Sequence, residues 1–240
     1  MRVLIIGDGL VKGSTGVNWV KRLAQKHPDW QIENAGINGE TITKISCRLR
    51  KKLLSANQYD TIVLLAGAND ILLPELKHKG WFFRRAYKRL LDTNRPLRDV
   101  GDFAAKLAET IRLIKTRTNA NIVLVTISCL SEDLQSPLNK NRQQFNRVIR
   151  DLAQENGCKL ADAAALCDGC LITLRTKDYF LQNFLNTFCL DKWQSLVPGR
   201  ADVISKKRQL HLTIDGVHVN SLGARFYMEE IERQIGQDKR

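Results

Sequence analysis

Short apolar runs alternate along this chain with longer stretches in which apolar residues recur every three to four positions. Val3 to Ile6, Gln31 to Asn34, Thr61 to Leu65, Asn121 to Ile127 and Cys158 to Ala161 read as strands. The third and fourth are almost continuously apolar, as strands buried on both faces of a parallel sheet are. Between the strands, Ile42, Ile45, Leu49 and Leu53 share one helical face, as do Val100, Phe103, Leu107, Ile111 and Ile114. Phe145, Ile149 and Leu152 repeat the pattern, and Leu222, Phe226 and Ile235 mark a closing helix. This alternation predicts an α/β fold, a mainly parallel sheet with helices on both faces.

Two stretches exceed the short connections normal for such a fold. The first, about 74–99, places Phe83, Tyr87 and Leu90 on one helical face and Arg84, Arg85, Lys88 and Arg89 around the other, which predicts a basic amphipathic lid. The second, about 166–212, is dense in Tyr179, Phe180, Leu181, Phe184, Leu185 and Phe188 and predicts an apolar cap. With 240 residues, no internal repeat and no low-complexity linker, the chain reads as a single domain, 1–240, carrying these two insertions.

Composition narrows the picture little further. Apolar residues at 43% and charged residues at 26% describe a globular protein with a real core. No apolar run is long enough to cross a bilayer, and the opening apolar stretch is too short for a signal peptide, so a cytoplasmic location is expected. The six cysteines form no regular framework. Cys167 and Cys170 alone have metal or redox spacing, but no second pair follows. A net charge of +13 favours anionic partners without bearing on fold.

In open α/β sheets ligands gather at the carboxyl ends of strands. Four segments stand at such places: Gly7-Asp8-Gly9-Leu10, Asn34-Ala35-Gly36-Ile37-Asn38-Gly39-Glu40-Thr41, Gly67-Ala68-Asn69-Asp70, and Asp215-Gly216-Val217-His218 before the closing helix. Singly, each is ordinary turn chemistry. In this order and placement they resemble the SGNH (GDSL) hydrolase family, from residue 7 to residue 218.

The resemblance implies a flavodoxin-like three-layer sandwich with a mainly parallel five-stranded sheet, and hydrolysis of carboxylic esters through a serine, histidine and aspartate. It implies His218 as general base, Asp215 as the group that orients it, and the N–H groups of residues 9 and 39 with the Asn69 amide as oxyanion donors. Asp8 and Asp70 are expected in support. Trp81, Phe83, Arg84 and Arg85 are expected to contact substrate, since their segment follows Asn69. No metal and no organic cofactor are implied.

The chain departs from the family at its nucleophile, where Gly9 replaces the serine. Without that hydroxyl no acyl-enzyme can form by the usual route, and the chain is expected to be inactive or nearly so. Ser14 and Thr15 lie too far along the sequence to fill the same point without reshaping the turn. Retention of Asp215, His218, Asn69 and Gly39 favours a deliberate substitution over a long-abandoned site.

Other classes of function fit less well. Gly7-x-Gly9 after a first strand, with Glu33 as a ribose ligand, evokes a dinucleotide turn, but Lys12 stands where the third glycine belongs. Residues 75–99 carry eight Lys or Arg against three Asp or Glu, interleaved with Trp81, Phe82, Phe83 and Tyr87. That composition also suits a catalytically dead binding protein for an anionic ligand, a membrane surface or nucleic acid. A lid over an ester site is the preferred expectation, with a small-molecule or lipid ester as substrate. Anionic lysophospholipid-like esters and acetyl esters of carbohydrate both lie within its range.

Overall fold

A computed structural model describes residues 1–54, 58–76, 88, 93–181, 194 and 197–236. Five strands, β1 (Arg2–Gly7), β2 (Gln31–Gly36), β3 (Thr61–Leu65), β4 (Asn121–Val125) and β5 (Lys159–Ala161), form one parallel sheet in the order β2-β1-β3-β4-β5. Val3 to Ile6 and all of β3 are buried, which explains their unbroken apolar character: helices cover both faces there. β4 ends at Val125, two residues before the apolar run does, and Thr126 and Ile127 already belong to the loop beyond it.

Among the described residues, the helices between the strands are α1 (Gly9–Lys12), α2 (Trp19–Lys26), α3 (Ile42–Leu54), α4 (Ala68–Glu75), α5 (Val100–Arg117) and α6 (Pro137–Glu155). After β5 come α7 (Ala163–Leu171), α8 (Arg200–Lys207) and α9 (Ser221–Gly236). The helix α3 packs on α5 and α5 on α6, while α9 packs on α2, α7 and β5. Local signals set the boundaries. Asp99 caps α5 by accepting from the N–H groups of Gly101 and Asp102, and Ser136 caps α6 with Pro137 as its first residue. The α5–α6 contact is centred on Phe103 and Phe145, whose ring centroids lie 4.5 Å apart, and truncating either ring would cost about 3–5 kcal/mol.

The strand order has a direct consequence for function. The chain winds one way from β1 to β2 and the other way from β1 to β3, so β1 and β3 flank the point where the topology reverses, and a crevice opens at their carboxyl ends. The chain leaving β1 and β3 carries Asp8, Gly9, Ala68 and Asn69, the last three in the first turns of α1 and α4. The expected lid residues Trp81, Phe83, Arg84, Arg85 and Tyr87, and the later Phe184, Leu185 and Phe188, lie outside the described residues.

Candidate active site

Strand β1 delivers the chain into a tight turn whose shape is set by Asp8. The buried carboxylate caps α1, Oδ1 accepting from the Leu10 N–H at 2.9 Å. From α2, the Trp19 Nε1–H donates to the Leu10 carbonyl at 2.8 Å, and its ring stacks on Tyr227 of α9 at 5.4 Å. The first turn of α1 is therefore fixed on both sides.

The loop after β2 is held by one guanidinium. Arg48 donates to the carbonyls of Ala35 (2.7 Å) and Gly7 (3.1 Å) and pairs with the Glu40 carboxylate. The ends of β1 and β2 are thereby tied to the loop containing Gly39, which adopts a left-handed conformation at φ 79°. Asn69, at the start of α4, donates through Nδ2 to the Asp8 carboxylate at 3.2 Å and to the Glu40 carbonyl at 3.1 Å. Both N–H bonds are engaged, so Asn69 can serve an oxyanion only by releasing one partner. The neighbouring Asp70 faces away and fastens the loops below, accepting from the N–H groups of Ile42 and Leu97.

The fourth segment forms a closed turn. Asp215 is fully buried; Oδ1 accepts from the Val217 and His218 N–H groups, and Oδ2 stands 2.7 Å from His218 Nδ1. This contact makes Nδ1–H the donor and leaves Nε2 as the basic nitrogen. The Ile214 N–H donates to the His218 carbonyl at 2.8 Å, closing the turn.

Electrostatics divide the three carboxyl groups. Burial pushes Asp8 up to about 7, against the Leu10 N–H and the charge of His218. Burial likewise pushes Asp70 to about 7, opposed by its two backbone donors and reinforced by Asp8. Burial acts on Asp215 too, but the charge of His218 and the hydrogen bonds from His218 and Val217 outweigh it and hold the carboxyl below its usual range. Asp215 therefore stays ionised beside the imidazole, as support for an imidazolium requires.

These segments enclose a cavity of about 240 Å³ lined by Asp8, Gly9, Asn38, Gly39, Asn69 and His218 on its polar side. Its other wall is built from Leu72, Leu73, Leu76, Leu181 and Val217. Of the residues singled out in the sequence, Gly9, Gly39, Asn69, Asp8 and His218 converge here, Asp215 stands behind His218, and Asp70 lies outside. Thr15 also lines the cavity, and Ser14 holds Asn38 by reciprocal side-chain bonds at 2.9 and 3.1 Å. The leucine wall had a signal in the sequence: Leu72, Leu73 and Leu76 follow Asn69 at three, four and seven residues, one face of a helix. Among the described residues no group of three or more His, Cys, Asp or Glu could hold a metal ion.

The GDSL-like lipase/acylhydrolase family model matches residues 5–225. The chain belongs to this family. An acetylxylan esterase of Geobacillus stearothermophilus is 25% identical over 148 residues, and the match spans 60% of this chain and 59% of the relative's length. The solved structure of Axe2, an acetylxylan esterase from the same organism, superposes with a TM-score of 0.63 at 19% identity, covering 98% of this chain and 94% of that one. LAE5, a hydrolase from the metagenome of Lake Arreo in Spain, gives 0.65 at 16% identity over 98% and 94%. The two structural likenesses show that this chain shares the fold of those proteins.

Family membership replaces the dinucleotide reading, and local structure explains why it failed. Gly13 ends the four-residue α1 in a left-handed cap, and Glu33 is occupied by Lys52 and by the Tyr59 hydroxyl at 2.6 Å. Cys167 and Cys170 both fall on α7, and burial pushes the Cys167 thiol up to about 12, which leaves it inert at neutral pH.

Proposed function

We propose that this chain carries the machinery of a carboxylic ester hydrolase built around a serine at position 9, and that Gly9 disables it. The observation that carries this reading is the Asp215–His218 pair, 2.7 Å apart, opening on the cavity that Gly9, Gly39 and Asn69 also line. In the serine-bearing form the hydroxyl attacks the ester carbonyl carbon while His218 Nε2 takes its proton. The oxyanion accepts from the N–H groups of residues 9 and 39 and from the Asn69 amide. Collapse expels the alcohol, which receives the proton from His218, and water activated by the same nitrogen then releases the acid. With Gly9 only direct attack by water remains, roughly 10³–10⁴ above the uncatalysed rate. The scheme calls on no metal or organic cofactor.

The leucine wall supports an apolar acyl group as the part bound in the cavity, and the charge of +13 supports an anionic ester of the lysophospholipid kind. A second reading, acetyl esters of carbohydrate, is favoured by the names of the relatives. A third, a binding role without turnover toward an anionic ligand, a membrane surface or nucleic acid, is favoured by Gly9 itself. The test is a panel of p-nitrophenyl esters from acetate to octanoate, with acetylated xylose and the anionic lysophosphatidylglycerol, offered to the Gly9→Ser protein. Hydrolysis supports the esterase, and the preferred member of the panel separates the first two readings. Salt-dependent oligonucleotide or vesicle binding without hydrolysis supports the third.

A further inference from the structure

The turn that carries Asp215 and His218 is gripped from one side by a carboxylate distant in sequence. Glu132, fully buried in the loop after β4, accepts four hydrogen bonds from the segment 211–213 leading into that turn. Oε2 takes the His211 N–H at 2.7 Å, and Oε1 takes the Leu212 N–H, the Thr213 N–H and the Thr213 hydroxyl, each at 2.8 Å. The Thr213 hydroxyl in turn accepts from the Gly216 N–H at 3.1 Å, so a continuous chain of bonds runs from Glu132 to the residue between Asp215 and His218. The preceding residue makes a second grip: the Ser131 N–H donates to the Gly216 carbonyl at 2.6 Å. To do so Ser131 adopts a left-handed conformation, φ 75°, that a non-glycine residue holds only where its surroundings enforce it. Asn139 of α6 supplies that enforcement, donating to the Ser131 and Asp133 carbonyls at 2.8 and 2.7 Å.

From this geometry we infer that Glu132 is a positioning residue for the histidine, fixing the Asp215–His218 turn through Thr213 and Gly216 without touching substrate. The inference rests on the ester-hydrolase reading for its catalytic consequence, although the grip itself is independent of it. A carboxylate is specific to this task because every partner is a donor. Glu132→Gln turns an N–H₂ group toward at least one of these N–H groups, opposing donor to donor without changing side-chain volume. Thr213→Val removes only the hydroxyl link and leaves the three backbone bonds to Glu132 in place.

Two readouts test it. In the chain as it stands, proton NMR of the His218 Nδ1–H bonded to Asp215 reports the turn directly, and both substitutions should shift or broaden that resonance. In the Gly9→Ser protein, both should lower kcat about ten- to a hundredfold with KM nearly unchanged. Ile149→Val, a core substitution on α6, serves as the control for general destabilisation and should move neither. If Glu132→Gln fails to fold, Thr213→Val decides alone. Unchanged resonance together with full kcat in the folded variants overturns the inference. Should Gly9→Ser itself be inactive with Glu132 intact, the ester reading fails instead, and the resonance alone decides the role of Glu132.

Discussion

Gly9 and Gly216 stand in two of the turns around the cavity, and the backbone demands something different of each. At Gly216 φ is 91°, and a Cβ there would lie 1.8 Å from the Tyr179 carbonyl oxygen. No side chain fits, because the obstacle is main chain. At Gly9 the backbone is ordinary, and the three atoms nearest to an added Cβ all belong to Asn38, the closest being its side-chain oxygen at 3.2 Å. That oxygen accepts from the Ser14 hydroxyl, and a side chain at position 9 requires it to yield by a few tenths of an ångström. One glycine is fixed by the main chain around it, and the other is opposed at closest by the end of one side chain.

The contrast breaks most visibly in catalysis. In the Gly9→Ser protein, adding His218→Ala should cost on the order of 10⁴-fold or more in kcat toward p-nitrophenyl butyrate, because the serine then has no base. In the Gly9 chain the same histidine substitution should change residual hydrolysis far less. Next in size is Gly216→Ala, expected to lose about 3 kcal/mol or more of stability in urea unfolding, since backbone would have to move. A Gly216→Ala protein of unchanged stability would remove the distinction drawn here.

The electrostatics of the Gly9 turn give a smaller effect with a definite sign. Asp8 and Asp70 titrate near 7 when folded and near 4 when unfolded, so the folded state holds more protons between those values. Stability from these groups therefore declines as pH rises from 4 to 7. Measured against Asp8→Asn, the parent chain should lose stability in urea unfolding across this window. Asp215 acts in the opposite sense, its contribution being lost only as pH falls below about 4. Smallest of all is the stability change of Gly9→Ser, expected within about 1 kcal/mol because strain against Asn38 is offset by a less flexible unfolded chain.

Much of this was legible in the sequence because parallel sheets repeat themselves. The apolar runs of β1 and β3 located the strands, and strand ends located Asp8, Gly9, Asn69 and, through the family pattern, Asp215 and His218. The pattern could not disclose what depends on long-range contact. Arg48 reads as one more charge on an amphipathic helix, yet it joins two strand ends to the loop containing Gly39. Glu132 follows a serine in an unremarked loop and shows its importance only when residues 211–213 are brought beside it. That Gly9 is opposed by a side chain and Gly216 by main chain likewise follows from neighbours more than 25 residues away in each case, Asn38 and Tyr179.

The most direct test compares three proteins side by side in p-nitrophenyl acetate hydrolysis: the chain as it stands, Gly9→Ala and Gly9→Ser. Restoring the hydroxyl should raise the rate on the order of 10³-fold or more, while alanine, which adds the Cβ but no nucleophile, should leave it at the level of glycine. A serine variant no faster than the alanine variant, with both folded, would contradict the claim that this site lacks only its nucleophile.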